Sequence, residues 1–263
     1  MNELFVDYII FAKKERMESL KQRRTIRKYQ QKDISADLLN DLLETSFRAS
    51  TVGNMQVYSV IVTRDAERKA KLAPAHFNQP MVTQAPCVIT VCADVHRFSM
   101  WCEQRDAEPC YDNFAWFLNG VTDALLAAQN LCVEAEAHGL GICYLGTTIY
   151  TAEEIARILD LPKGVIPVTT IVVGHPDESP ELTDRLPLDA VVHCEKYHHY
   201  TSSEIDELWA EKETSEETRR LLEENGLPNL AQIFTRNRYR AEDNLAISRN
   251  YFALLKKQGF FNN

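Results

Sequence analysis

NFAWFLNGVTDALLAAQNLCVEAEAH, from Asn113 to His138, is the longest helical pattern in the chain. Its apolar groups at Phe114, Phe117, Leu118, Val121, Leu125, Ala128, Leu131 and Cys132 follow helical spacing but spread widely around the axis. Such a helix is expected to be buried nearly all round. Outward from it lie strand patterns. Cys87 to Ala93 is apolar throughout, which suits a sheet centre covered on both faces, and Val57 to Thr63 reads as a further strand. Downstream come a short strand at Ile142 to Leu145, a helix at Ala152 to Leu159 and a strand at Val168 to Val173. Residues 3–22 carry helical spacing. Residues 35–48 do so too, with Ser35 as N-cap and Leu38, Leu39, Leu42, Leu43 and Phe47 on the apolar side. Strands alternating with helices predict a sheet between helical layers, of α/β or α+β type.

From Ser202 the composition changes. Glu204 to Glu224 is strongly acidic and predicts a solvent-facing helical excursion, broken at Asn225, Gly226 and Pro228. Arg236, Arg238 and Arg240 then lead into a last helix ending near Lys257. The division expected is a core over residues 1–200 and a helical extension over 201–263.

The chain has 263 residues, 45% of them hydrophobic, enough for a sizeable core, and a formal net charge of −9. That balance argues against nucleic acid or an anionic membrane as partner. Seven cysteines form no CxxC pair, and Cys87, Cys92, Cys132 and Cys143 sit in apolar runs. They read as reduced core thiols without disulfides. The apolar patch FVDYIIFA is interrupted by Asp7 and too short to span a membrane, so a cytoplasmic protein is expected.

Several motifs fail. Gly139 and Gly141 lack a third glycine and lie between helix and strand in the wrong order for a dinucleotide fold. GxxxxGK[ST], GxSxG and HExxH are absent from the sequence. His193, Cys194, His198 and His199 match no closed zinc spacing, and His96 with Cys102 is less specific still, so no metal site is expected. QRRTIRKY, Gln22 to Tyr29, is different in kind: three arginines and a threonine at the end of a basic segment. Arg23 and Arg27 would share a face if the preceding helix continued. The run suits an anion, and equally a solvated basic face.

RRTIRKY at 23–29, ASTVGNMQ at 49–56, NQPMVTQAP at 78–86, GLGICYLG at 139–146 and DRLPLDAVVH at 184–193 together resemble, in order and spacing, the FMN-dependent nitroreductase family. The likeness is to its larger, NADPH-preferring branch of oxygen-insensitive nitroreductases and flavin reductases, with a weaker echo in LLKKQGFF. The resemblance implies a nitroreductase-like α+β fold with a central, mostly antiparallel sheet flanked by helices. It also implies a homodimer, with the C-terminal extension packing on the core or the partner subunit.

FMN needs cations for its phosphate, polar partners for its ribityl chain, and support for a ring that becomes anionic when reduced. By resemblance, Arg23 and Arg185 hold the phosphate, Thr25 the ribityl or phosphate oxygens, and Arg27 faces the pyrimidine end of the ring. Ser50 reaches the flavin from the partner subunit; Met55 and Gln56 lie near the ring, Gln79 bonds its polar edge, and Tyr144, Leu145 and Gly146 line the face behind it. Thr183 replaces a lysine of relatives, and Arg24 is placed to compensate; Thr25 replaces a serine. The implied activity is NAD(P)H oxidation by a ping-pong hydride transfer, with nitroaromatics, quinones or free flavin as acceptors and no protein acid or base. Arg236, Arg238 and Arg240 are candidates for the extra phosphate of NADPH, with NADH left open as donor. A reductase of another specialised substrate on this scaffold, and a non-enzymatic flavin-binding sensor or interaction protein, stay open as alternatives.

Overall fold

The computed structural model describes residues 20–261. The helical pattern over residues 3–22 lies almost wholly outside the described residues, and at its end helix stops at Lys21. The chain divides into two compact units, one running up to Glu181 and resuming at Arg249, the other Leu182–Ser248. The sequence reading set a single division at residue 200. The chain returns to the first unit because Leu254, Leu255 and Phe260 are core residues there.

The first unit is built on strands β1 (Tyr58–Thr63), β2 (Cys87–Asp94), β3 (Gly141–Leu145) and β4 (Val165–Gly174), in the order β1-β2-β4-β3 with every pair antiparallel. β2 and β4 are central and buried at every position, threonines included, in keeping with their largely apolar sequences. On one face Ile89, Val91, Ala93, Ile171 and Val173 pack against helices α1 (Ala36–Ser46) and α4 (Phe114–Ala137). Helices α2 (Ala66–Leu72) and α5 (Ala152–Ile158) cover the other face, where Val88, Val172, Cys143 and Leu145 meet Leu72 and Ile155. A short helix α3 (His96–Glu103) follows β2. The sheet between helical layers is thus α+β, as expected. Ser35 caps α1 by accepting the Leu38 N–H at 3.2 Å.

α4 corrects one expectation. Phe117, Gly120, Ala124, Ala127, Leu131 and Ala135 face the core, but Leu118 (47%), Leu125 and Leu126 (44% each) are exposed. Among the described residues nothing covers these leucines fully, so the helix is not buried all round there. Cys87, Cys92, Cys132 and Cys143 are buried as read; burial pushes the Cys87 and Cys132 thiols up to about 12, which keeps them protonated and unreactive.

In the second unit, α6 (Ser202–Thr214) opens with a capping box between Thr201 and Glu204. α7 (Glu216–Asn225) ends at left-handed Gly226, and Thr218 is its buried residue. The last helix, α8 (Ala241–Lys257), contains the point where the two units divide.

The residues before α1 run extended beside β3, and their approach is close. A Cβ at Gly141 would lie 2.7 Å from the Ile26 Cβ, and one at Gly174 would lie 2.8 Å from a Tyr29 ring carbon. We expect Gly141→Ala to destabilise the fold by about 1–3 kcal/mol through this overpacking, read as a lower urea midpoint at unchanged slope. An unchanged midpoint would show that Ile26 gives way freely.

Candidate active site

The arginine-rich run is extended, not helical. Thr25 bridges Ile142 in parallel, and the Ile26 N–H donates to the Ile142 carbonyl at 3.0 Å. Further along, Tyr29 bridges Pro176 and its hydroxyl donates to the Ile26 carbonyl at 2.7 Å. Extended backbone alternates its side chains, so Arg23, Thr25 and Arg27 share one side while Ile26 enters the core. This replaces the helical face as the reason Arg23 and Arg27 belong together.

The Glu178 carboxylate accepts the Arg27 and Lys28 backbone N–H groups, which fixes the run beyond Thr25. Arg23 Nε lies 3.4 Å from Glu136 Oε1; burial raises the Glu136 pKa, and the guanidinium pulls against it. The Nε atoms of Arg23 and Arg24 are buried without a hydrogen-bond acceptor. Among the described residues no hydrogen bond or ion pair engages the Arg27 guanidinium, which is exposed beside a groove of about 610 Å³ lined also by Tyr29, Pro80 and Met81. Burial pushes the Cys143 thiol up, while the positive fields of Arg27 and Arg23 oppose the shift, so both cations act on the middle of β3.

Gly146 follows β3 and is exposed. Tyr144 is half-buried, with its hydroxyl 3.5 Å from Gln129 Oε1. The Leu145 side chain is buried in the second core cluster. Gln79, half-buried, ends a turn that His76 ties to the end of β3, with His76 Nδ1 2.8 Å from Thr147 Oγ1. The Thr151 hydroxyl donates to the Ala75 carbonyl at 2.5 Å, adding a second tie. Arg23, Thr25, Arg27, Gln79, Tyr144 and Gly146 therefore gather at the β3 edge.

Ser50, Met55 and Gln56 do not join them. They precede β1, the opposite edge strand, three strand spacings or about 14 Å from β3. Their loop is rigidly held. Asp123 of α4, fully buried, accepts the Val52 N–H at 3.0 Å and the Val57 N–H at 3.1 Å. Arg97 donates to the Gln56 and Tyr58 carbonyls, and Gly53, Asn54 and Gln56 are left-handed. Met55, Gln56, Tyr58 and Arg97 line a separate hollow of about 400 Å³.

The remaining candidates belong to the second unit. The Arg185 guanidinium donates to Thr183 Oγ1 and the Asp184 carbonyl, both at 2.8 Å. Arg238 lies 5.5 Å over the Phe234 ring, and Arg240 pairs with Glu242 at 2.9 Å and Asp243 at 2.7 Å. Arg236 is exposed. The His198 N–H donates to His193 Nδ1 at 3.2 Å, and its Nε2 lies 3.0 Å from Glu204.

His76, Asp123 and Arg97 escaped the sequence reading. Asp123 carried a signal, a lone carboxylate inside an apolar helical run; His76 and Arg97 carried none.

The model of the nitroreductase family matches residues 20–175, which hold the whole β3-edge cluster. The chain belongs to the nitroreductase family. Among relatives in that family, an FMN reductase (NADPH) of Bacillus subtilis is 32% identical over 184 residues, covering 69% of this chain and 74% of that protein. An NADPH-dependent oxidoreductase of Staphylococcus aureus is 35% identical over 183 residues, with 68% and 72% covered. A solved structure from Bacteroides fragilis, described as an oxidoreductase, superposes with a TM-score of 0.92 at 55% identity, covering 93% of this chain and all of that one.

Burial alone lowers the His76 pKa from 6.5 to about 4. Above 6.5 the ring is neutral whether folded or unfolded; between 6.5 and about 4 the unfolded chain takes up the proton and the folded one does not. Stability is thus lost as pH falls through that window, by on the order of 3 kcal/mol for this group. The stability advantage of wild type over His76→Gln is expected to shrink between pH 6.5 and 4, measured by urea unfolding; a constant difference would contradict the neutral buried ring.

Proposed function

We propose that this nitroreductase-family chain is an NAD(P)H-dependent FMN oxidoreductase that reduces nitroaromatics, quinones or free flavins. The observation that carries the reading is the β3 edge, where Arg23, Thr25 and Arg27 project from one side of an extended run beside Tyr144, Gly146 and Gln79. A buried Arg24 Nε without an acceptor, and an Arg27 with no acidic partner among the described residues, fit a ligand that brings its own negative charge. The likeness to an FMN reductase (NADPH) of Bacillus subtilis and an NADPH-dependent oxidoreductase of Staphylococcus aureus supports FMN and NADPH.

FMN, when bound, supplies a centre that takes a hydride from the nicotinamide and passes the electrons to the acceptor. The chain's residues do the rest. Arg23 holds the phosphate, with Arg24 or another basic residue in place of the cation missing at Thr183, and the Thr25 hydroxyl bonds a ribityl or phosphate oxygen. Arg27 sets a positive charge against the pyrimidine end, which favours the reduced, anionic ring. The backbone at Gly146 and the Gln79 amide meet the ring's polar edge. Ser50, Met55 and Gln56 serve a site on a second copy, so the active form is a homodimer, in keeping with the exposed apolar side of α4. Arg236 and Arg238 favour NADPH as donor, since Arg240 is already shared between Glu242 and Asp243. Donor and acceptor use the same open face in turn, a ping-pong order. No helix among the described residues is long and apolar enough to cross a membrane, and a cytoplasmic location is part of the proposal.

The test is the visible spectrum of the purified protein. One FMN per chain, released by acid and bleached by NADPH, is expected; a colourless protein that takes up no added FMN overturns the reading. In the flavin-loaded protein, Arg27→Ala is expected to lower kcat/KM for a quinone by about a hundredfold, the scale of one lost electrostatic stabiliser. Parallel double-reciprocal plots would support the ping-pong order, and intersecting ones would exclude it.

A further inference from the structure

The turn that delivers Gln79 is costly to hold. Phe77 and Asn78 are both left-handed, with φ of 55° and 52°, a region that a bulky aromatic residue rarely occupies. Phe77 is also 60% exposed, so burial of its ring does not offset the strain. The backbone bonds of the turn are local: the Phe77 N–H donates to the Pro74 carbonyl at 3.0 Å, Asn78 to Ala73 at 2.8 Å and Gln79 to His76 at 3.1 Å. They shape the turn but do not fix it against the sheet. Thr151 on the Ala75 carbonyl and His76 on Thr147 do so, together with the Phe77 ring against Tyr150, centroids 6.2 Å apart, and the packing of Ala75 and Met81 in the core.

His76 is an expensive residue for mere filling. It is fully buried, and its Nε2 has no hydrogen-bond partner. A leucine or phenylalanine would occupy such a position without leaving a polar atom unpaired. What the imidazole adds is one directed bond to the residue next to Gly146.

We infer that His76 is a positioning residue, a neutral imidazole clamp that sets the separation between Gln79 and Gly146 through the Thr147 hydroxyl. The consequence for flavin rests on the proposed function, because Gln79 and Gly146 are the two groups assigned there to the ring's polar edge. The clamp itself does not. Two groups on different turns can bond one rigid planar edge together only if their spacing is fixed before the ligand arrives. The clamp therefore acts on FMN affinity and on the balance between oxidised and reduced ring, without touching either.

The decisive variants are at Thr147, where shape can be kept while the hydroxyl is removed. In FMN-loaded protein, Thr147→Val is expected to weaken FMN binding about tenfold, the scale of one lost buried hydrogen bond, and to shift the flavin midpoint potential. Thr147→Ser, which keeps the hydroxyl, restores both. His76→Phe matches Thr147→Val, and the double variant is no worse than the poorer single, since both remove the same bond. Wild-type affinity and potential in Thr147→Val, or additive penalties in the double variant, would overturn the clamp. Should His76→Phe fail to fold, the Val and Ser pair at Thr147 decides alone. Should the wild type bind no FMN, the flavin reading falls and the clamp is read separately by hydrogen exchange: the Phe77 and Asn78 amides should exchange about tenfold faster in Thr147→Val. Unchanged exchange would sink it.

Discussion

The contact on which the β3 edge depends is backbone against backbone: the extended run from Arg23 to Tyr29 laid on the end of the sheet. It is possible because Gly141 has no Cβ where Ile26 presses closest, and Gly174 none where Pro86 and Tyr29 both crowd it. Once the run is seated, alternation does the rest. Ile26 joins the core beneath the sheet, Tyr29 returns its hydroxyl to the Ile26 carbonyl, and three consecutive odd-numbered positions turn the other way. Positive charge is thus concentrated at one edge by the geometry of an extended chain, in a molecule whose overall charge is negative.

The same seating explains how cations can sit beside a buried sheet. Arg23 is balanced by Glu136 from the end of α4, whose carboxyl is itself half-buried and therefore reluctant to ionise. Arg27 has only its backbone bound, through Glu178, and its guanidinium is left to act outward. One cation is thus partly spent on holding the fold, while the neighbour two alternations along is available to a ligand.

The strands were legible because both central ones are largely apolar, a pattern that two-sided burial imposes, and α1 was legible through Ser35 and its leucine spacing. The arginine run was legible as a basic cluster but not in its shape. Charged residues four apart suggest a helical face, and only the bond from Ile26 to Ile142 shows that the period there is two. The burial of Leu145 was hidden for a related reason: a motif gives residues in order, and the pleat decides which of them turn inward. His76 and Arg97 left no trace because their roles are long-range. Each bonds a residue distant in sequence, and nothing in the residues flanking either one announces the partner.

The sheet order also explains why six of the motif residues converge and three do not. Arg23, Thr25, Arg27, Gln79, Tyr144 and Gly146 belong to the β3 edge, whereas Ser50, Met55 and Gln56 lead into β1 on the far side of β2 and β4. No flexing of the second loop can close that gap, since Asp123 grips it from beneath at both ends and Arg97 binds the Gln56 carbonyl. This firmly built loop is left-handed at three positions. The helix that supplies Asp123 presents Leu118, Leu125 and Leu126 away from the sheet, where they stay exposed among the described residues. Under the proposed homodimer, contact with a second copy would account for both the separated loop and the exposed leucines.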